Sequence, residues 1–378
     1  MRGILSDIKR LRGQNEINID RNNNHRHRVI VDEKDGTKTA YYFSSPIYNI
    51  HTKKLVDFRF NSINDMFVLE GTNSKIVVDE NIDIIGLSGS CRIRANGKPI
   101  AMNEQEIAYD SYSILPTSNG IAYRAKVNKG QSFRLELEVT HPFLKIVAND
   151  RCFALMIDEF VPLLTISSIG TLDEGNRVID AAIIDYTKID DRKYIVSIST
   201  QSVSGRNVLF EVNMYERKLI QDTTVESKNP SLNNAFGSTA FLGLTEKYGE
   251  QWLYIRPLFS YLSELLEQRD KRVRLHFPIQ GGEDKDVAAD LFMIGSRFCS
   301  FGSNWENKIN ETSRIACGVL GNNYLSFDIT NYVRLLGKSF FSNLNGMLIE
   351  PRTEMKNAIA IPTGDSYSCF PIIEINYI

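Results

Sequence analysis

The heptapeptide FRLELEV at residues 133–139 decides the fold class, because apolar and charged side chains alternate along its whole length. Successive side chains of a β-strand point to opposite faces, so this segment predicts a strand with one buried face and one wet face. From about residue 29 to residue 215, similar short runs are separated by turn residues. Asp-Gly at 35–36 and Asn-Gly at 96–97 and 119–120 predict the positive φ angles of tight hairpins. An antiparallel β-sandwich is therefore predicted here.

The second half of the chain begins with the segment DTTVESKNPSLNNAFGSTAFLG at residues 222–243. It contains an Asp-led strand, an Asn-Pro loop, an aromatic-Gly-Ser turn and an apolar strand that ends in glycine. These features stand at Asp222, 229–230, 236–238 and 241–243. In this order they resemble the start of the DNRLRE-type domain, a jelly-roll-like module of microbial surface proteins that also occurs beside polysaccharide-active enzymes.

Later parts of the chain resemble the same family, and the resemblance covers roughly residues 219–378. The matching pieces are 252–256, 258–266, 273–277, Trp305, 327–330 and a terminal strand at 371–377. One departure is the polar segment 258–271, which is longer than the link that many members have there. The resemblance implies a β-sandwich whose role is binding or assembly, and it carries no catalytic group.

The first 28 residues are predicted to form an N-terminal arm. Ile4, Leu5, Ile8 and Leu11 fall on one helical face, which describes a short amphipathic helix that docks on a partner. The polar and basic segment 14–28 has few groups able to build a core. It is either a solvated linker or an arm ordered by a neighbouring subunit. The predicted partner-binding residues of the arm are Ile4, Leu5, Ile8, Leu11, Arg26 and Arg28.

The complete prediction is an all-β chain in three parts. Two β-sandwich or jelly-roll-like domains occupy residues 29–218 and 219–378, and the helical and basic arm occupies residues 1–28. A length of 378 residues agrees with two or three domains at about 150 residues each.

The charge balance and the hydropathy pattern exclude several partners. The chain has 44 Lys and Arg against 46 Asp and Glu, so nothing in its overall charge favours nucleic acid. No run approaches the roughly 18 apolar residues of a membrane span. The start alternates apolar and charged residues rather than placing an apolar run after a basic one, so a chain made in the cytoplasm without a signal peptide is expected. A surface-type module without a leader suggests a particle released by lysis, or export by a non-classical route.

A search for catalytic groups predicts a protein that is not an enzyme. The motifs HExxH, GxGxxG, GxxxxGK[ST] and GxSxG do not occur, and neither does a paired CxxC. The acidic doublets at 158–159 and 190–191 are adjacent residues, which point to opposite faces of a strand and so are not a catalytic pair. No catalytic residue, metal or cofactor is expected.

The candidate binding residues lie in the polar loop FGSNWENK at residues 301–308. Trp305 offers a flat face for a sugar ring. Asn304, Glu306 and Asn307 beside it are candidates for hydrogen bonds to hydroxyl groups. The alternative is that Trp305 packs and its neighbours satisfy the loop backbone. Trp252 lies in an apolar run and is predicted to be a core residue.

These observations lead to a functional hypothesis with two alternatives. The favoured one is a non-catalytic structural or adhesion protein of a phage tail or tailocin-like particle, with other subunits of a large assembly as partners and attachment to the host surface as a role. This hypothesis predicts that deletion of residues 1–28 abolishes incorporation into the particle and leaves the fold intact. The first alternative is a surface protein that binds cell-surface polysaccharide, and the second is a polysaccharide-cleaving enzyme.

Overall fold

The structure is a computed structural model that describes all residues except 1–2, 21–24, 64–65, 142–143, 202–205, 246–247, 263, 265–270, 283–287, 341–343 and 353–357. Parts of the predicted arm (1–2 and 21–24) and of the segment 258–271 therefore lie outside the described residues. In the described part, strands far outnumber helices and the sheets are built from antiparallel pairs of strands, so the predicted all-β class is confirmed.

The secondary structure begins with helix α1 (Ile4–Arg12) and continues almost entirely as strands. The first nineteen strands are β1 (Arg28–Asp32), β2 (Lys38–Phe43), β3 (Asn61–Ile63), β4 (Met66–Glu70), β5 (Ser74–Val78), β6 (Asn81–Gly86), β7 (Gly89–Arg94), β8 (Ala101–Met102), β9 (Ile107–Ala108), β10 (Tyr112–Pro116), β11 (Gly120–Val127), β12 (Ser132–Val139), β13 (Lys145–Ala148), β14 (Cys152–Met156), β15 (Pro162–Leu172), β16 (Val178–Asp180), β17 (Ile183–Lys188), β18 (Lys193–Ser199) and β19 (Arg206–Met214).

Among the described residues, one further α-helix and one short 3₁₀ helix (Phe259–Tyr261) lie between the remaining strands. In chain order these elements are β20 (Ile220–Glu226), β21 (Thr239–Thr245), β22 (Gly249–Pro257), β23 (Lys271–Pro278), β24 (Ala289–Ile294), β25 (Glu311–Cys317), β26 (Val319–Gly321), β27 (Tyr324–Asp328), helix α2 (Thr330–Phe340), β28 (Met347–Pro351), β29 (Ile359–Pro362) and β30 (Ile372–Tyr377).

By its internal contacts the chain divides into two compact units. The first unit contains residues 1–47, 218–235 and 240–378, and the second contains residues 48–217 and 236–239. Residues 1–28, predicted as a separate arm, thus belong to the same unit as most of the segment 219–378. The first unit is compact, although three separate stretches of the sequence form it.

The second unit has two sheets around one core. One sheet has the order β13-β14-β15-β19-β11-β10-β9-β8 with β16 on β15, and the other has the order β17-β18-β12-β7-β6-β5-β4-β3. Apolar side chains from both sheets form a single buried cluster, as in a β-sandwich. Strand β12 contains the heptapeptide 133–139, and burial alternates residue by residue along it, as predicted.

The first unit also has two sheets that share one core. A six-stranded sheet runs β1-β2-β30-β23-β27-β26, and a second sheet runs β25-β24-β28-β22-β21-β29 with β20 on β22. Side chains from both sheets meet in one buried cluster. Within this unit, each sheet also has an outer face that points away from the core.

Helix α1 contacts the outer face of the six-stranded sheet. Its apolar face is used, since Ile4 and Ile8 are buried. The guanidinium of Arg10 lies 5.2 Å from the ring centroid of Tyr324 and donates to its hydroxyl at 3.2 Å. Arg10 therefore joins the helix to β27 by a cation–π contact and a hydrogen bond.

The segment that follows α1 also pairs within the first unit. Arg12 donates to both carboxylate oxygens of Glu33, at 2.6 and 2.7 Å. The backbone N–H of Asp20 donates to Ile30 at 3.0 Å, and that of Asp32 donates to Asn18 at 2.9 Å. Residues 18–20 are therefore an extension of the sheet beside β1 rather than part of a solvated linker.

The two arginines predicted in the arm have different environments. Arg28 begins β1, where its guanidinium donates to the Glu264 carboxylate and lies 5.9 Å from the ring centroid of Tyr42. Arg26 is exposed, and its carbonyl accepts a hydrogen bond from Ile47 at 2.8 Å. Because α1 and Arg28 make these contacts inside the unit, deleting residues 1–28 would remove part of its packing, and we expect the deletion to lower stability.

The packing of α1 gives a testable consequence for stability. Ile8→Ala removes a fully buried side chain and should lower the free energy of unfolding by roughly 2 to 5 kcal/mol. Lys9→Ala, on the exposed side of the same helix turn, should change it by less than about 0.5 kcal/mol. Urea unfolding of the two variants measures the difference. Equal stabilities would mean that α1 does not dock on the sheet.

Candidate functional site

The candidate site is built on strand β22, where side chains alternate between two apolar environments. Leu253 and Ile255 point into the core of the first unit. Trp252 and Tyr254 point to the opposite face of the same sheet, where they belong to a second apolar cluster. Trp252 was predicted as a core residue, and it is indeed buried, with 6% of its surface exposed, but on the outer side of the sheet.

The segment between β24 and β25, residues 295–310, covers this outer face. Its residues Phe298, Trp305 and Ile309 pack against the second cluster. The Tyr254 hydroxyl donates to the Ile309 carbonyl at 2.6 Å. The rings of Trp252 and Trp305 have centroids 5.0 Å apart at an angle of 54°. The covering segment therefore brings the two tryptophans of the chain together.

A lysine ammonium lies against both tryptophan rings. Lys308 Nζ is 3.7 Å from the centroid of Trp305 and 4.1 Å from that of Trp252. A cation within about 6 Å of an aromatic centroid is attracted by the negative face of the ring, and tryptophan binds it best. The arrangement is a two-ring environment for an ammonium group, and the chain's own lysine supplies that group.

Two carboxyl side chains lie on the same face of the sheet as Trp252, and the Lys308 charge acts on one of them, Glu350. Glu250 accepts a hydrogen bond from Trp252 Nε1 at 2.9 Å. Glu350 follows Ile349, which pairs with Leu253, so the register of β28 places Glu350 beside Trp252. We call Trp252, Trp305, Lys308, Glu250 and Glu350 the tryptophan site.

Glu350 is the most perturbed acid of the tryptophan site. Burial, and then the negative charges of Glu311 and Glu250, raise its pKa to about 7, while Lys308 acts in the opposite direction. Asp290 also raises the pKa of Glu350, although Arg352 donates to the Asp290 carboxylate at 2.8 Å. The site therefore has more negative than positive groups.

The other residues predicted around Trp305 are used mainly within the loop. Asn304 and Asn307 each accept the other's backbone N–H, at 3.1 and 2.8 Å. The Asn307 amide also donates to the Gly302 carbonyl at 2.9 Å. Glu306 is exposed. The two asparagines thus satisfy the loop backbone, as in the alternative derived from the sequence, whereas Trp305 is half-buried against Trp252.

Four members of the tryptophan site were not predicted as site residues: Trp252, Lys308, Glu250 and Glu350. The alternation of Glu250 and Trp252 along the segment GEQWLYIRP places both on one face of a strand, and this signal is present in the sequence. Lys308 lies three residues after Trp305 in a polar loop, where a solvated lysine is the usual expectation.

Comparison with protein-family models finds none that matches the chain, and no curated protein is significantly similar to it. The resemblance to the DNRLRE-type domain therefore rests on the residues quoted above. The described residues contain no group of three or more His, Cys, Asp or Glu side chains arranged to hold a metal ion. Neither α-helix in the described part of the chain has the length and apolar character of a membrane span.

A second cluster of ionisable groups lies inside the first unit, at β20. Asp222 is buried and accepts the backbone N–H of Gly364 at 2.6 Å. A Cβ atom at Gly364 would lie 2.4 Å from the same carboxylate oxygen, so glycine is required for this close approach. Lys218 Nζ donates to Ser45 Oγ at 2.7 Å. The cluster is tightly packed and joins segments distant in sequence.

Two neighbouring carboxyls in this cluster have pKa values above their ordinary range. Burial, and then the charge of Asp365, raise the pKa of Asp222, and burial raises that of Asp365, whereas Lys218 opposes both shifts. Each acid therefore holds its proton more tightly in the folded chain than in the unfolded one. Above the ordinary carboxyl pKa of about 4, the folded state binds more protons, and stability falls as the pH rises toward the raised values.

The substitution Asp222→Asn tests this electrostatic cost. The amide cannot ionise, so the variant should be more stable than the parent at about pH 8 by on the order of 1 kcal/mol, with a smaller gain or none at about pH 4. Thermal or urea unfolding across this range gives the comparison. Glu306→Gln, at an exposed carboxyl outside this cluster, is the matched control for the loss of one carboxyl. A gain of the same size at both pH values would contradict the assignment.

Proposed function

We propose that this protein is a non-catalytic attachment protein, a structural β-protein that binds a surface glycan through the tryptophan site. The observation that supports the proposal most is the pairing of half-buried Trp305 with Trp252 on the outer face of a sheet. Sugar rings bind to aromatic side chains that offer an apolar face beside polar groups. Glu250 and Glu350 supply acceptors for hydroxyl groups next to the rings.

The position of the rings supports specific binding. Trp252 is fixed by its strand and by the hydrogen bond from its indole N–H to Glu250, at 2.9 Å. Trp305 is fixed by packing on Trp252. Side chains held by strands and by neighbouring contacts lose little conformational freedom when a ligand binds, which favours affinity.

The proposal includes the setting inferred from the sequence, a large assembly of the phage-tail or tailocin kind. Ile4 and Ile8 of α1 are used within the first unit, while Leu5 and Leu11 are partly exposed and are the residues of the predicted face that remain for a neighbouring subunit. Recovery of the native chain in a large particle with tail-like proteins would support this setting. A free monomer that binds glycan would favour an independent carbohydrate-binding surface protein.

A polysaccharide-cleaving enzyme is the second candidate, and Glu350 is the observation that favours it. A carboxyl whose pKa lies near 7 is protonated often enough to act as a general acid, and glycoside cleavage needs such an acid beside a second carboxylate. Glu311 and Glu250, whose charges act on Glu350, are the candidates for that second group. Release of reducing ends from a bound glycan, lost in Glu350→Gln, would replace the non-catalytic proposal.

The glycan-binding proposal predicts a clear difference between two aromatic substitutions in one loop. Trp305→Ala should weaken glycan binding by about fivefold or more, because loss of a stacking ring removes on the order of 1 kcal/mol or more. Phe301→Ala, at an exposed ring outside the tryptophan site, should bind as the parent does. A glycan array followed by calorimetry on the best ligand makes the comparison. Unchanged binding in Trp305→Ala would exclude this platform.

A further inference from the structure

The position of Lys308 is informative about the ligand of the tryptophan site. Its ammonium lies 3.7 and 4.1 Å from the centroids of two tryptophan rings that meet at 54°. An aromatic pair of this kind is the environment that proteins use to recognise ammonium groups. The chain's own lysine therefore marks where a positively charged nitrogen is stabilised.

The charged groups around the rings also favour a positively charged ligand. Glu250 on β22, Glu350 on β28 and Glu311 on β25 stand against the single ammonium of Lys308. Asp290 on β24 adds a further carboxylate, but Arg352 and Arg314 lie 2.8 and 3.5 Å from its oxygens and compensate it. Counted together, these groups are four carboxyls and three cations, so the site has one excess negative charge when Glu350 is ionised, which favours a cationic glycan over an anionic one.

We propose that the tryptophan site binds a glycan containing amino sugars with free ammonium groups, and that the ligand ammonium replaces that of Lys308 between the two rings. This inference rests on the proposed glycan-binding function and specifies its ligand. Lys308 is partly exposed, and its long flexible stem lets the charged end move into solvent while the ligand nitrogen takes its place. The released ammonium loses little, because water solvates it well.

The direct test compares two oligosaccharides of equal length, glucosamine tetramers with free amines and with N-acetylated amines, by calorimetry on the full chain at about pH 6, where an ordinary amine is charged. The free-amine tetramer should bind at least about tenfold more tightly. Lys308→Met, which keeps the apolar stem and removes the competing ammonium, should tighten its binding several-fold, whereas Trp305→Ala should weaken it.

The outcomes separate this inference from the function on which it rests. Equal binding of the two tetramers, or weaker binding of the free-amine tetramer in Lys308→Met, overturns the ammonium assignment while the glycan-binding function stands. Failure to bind these tetramers or any glycan of an array overturns the function itself. Because Lys308→Met and Trp305→Ala should change the affinity in opposite directions, a variant that merely fails to fold cannot imitate the predicted pattern.

Discussion

The alternation of side chains along β22, between two apolar environments, is the constraint on which the candidate site depends. A strand in an ordinary antiparallel sandwich has one face in the core and one in water. In β22, Leu253 and Ile255 fill the core, while Trp252 and Tyr254 would expose large apolar rings. Burying these rings is favourable, so the segment 295–310 folds over them. Trp305 and Lys308 occupy their positions because this covering segment passes there.

In the six-stranded sheet of the first unit, a helix packs on the large side chains of the outer face. Its outer face has large side chains such as Tyr41 and Tyr324, both buried. Helix α1 contacts this face, and Arg12 donates to the Tyr41 hydroxyl at 3.1 Å. Each sheet of this unit thus has a core face and an outer face that a second segment contacts. Hydrogen bonds at the tyrosine hydroxyls hold these segments in place, because a buried hydroxyl needs a hydrogen-bond partner.

The sequence predicted the features that depend on local pattern. The alternation at residues 133–139 gave the strand β12, and the spacing of Ile4 and Ile8 gave the helix α1 and its apolar face. The surface that buries this apolar face could not be predicted. An amphipathic pattern requires that the apolar face is buried, but it does not specify whether the same chain or another chain buries it. For this reason the arm was assigned to a neighbouring subunit, whereas its described residues dock within the first unit.

The tryptophan site was only half predicted, for a related reason. Trp305 was identified from its polar loop, but its partners lie on β22 and β28, and the contact joins residues more than fifty positions apart in the sequence. Such contacts depend on how the loop returns to the sheet. The charge of the site also depends on how this loop folds back onto the sheet. In the sequence alone, nothing distinguishes Lys308 from other loop lysines.

Both tryptophans of the chain belong to the tryptophan site, so their indole signals report on it without interference from other residues. The most direct measurement is therefore a titration of the indole-¹⁵N-labelled protein with the free-amine glucosamine tetramer, followed by NMR of the two indole N–H resonances. Our account predicts that both resonances shift together along one saturable curve. If neither resonance moves while calorimetry detects binding, the ligand binds elsewhere and the account is contradicted.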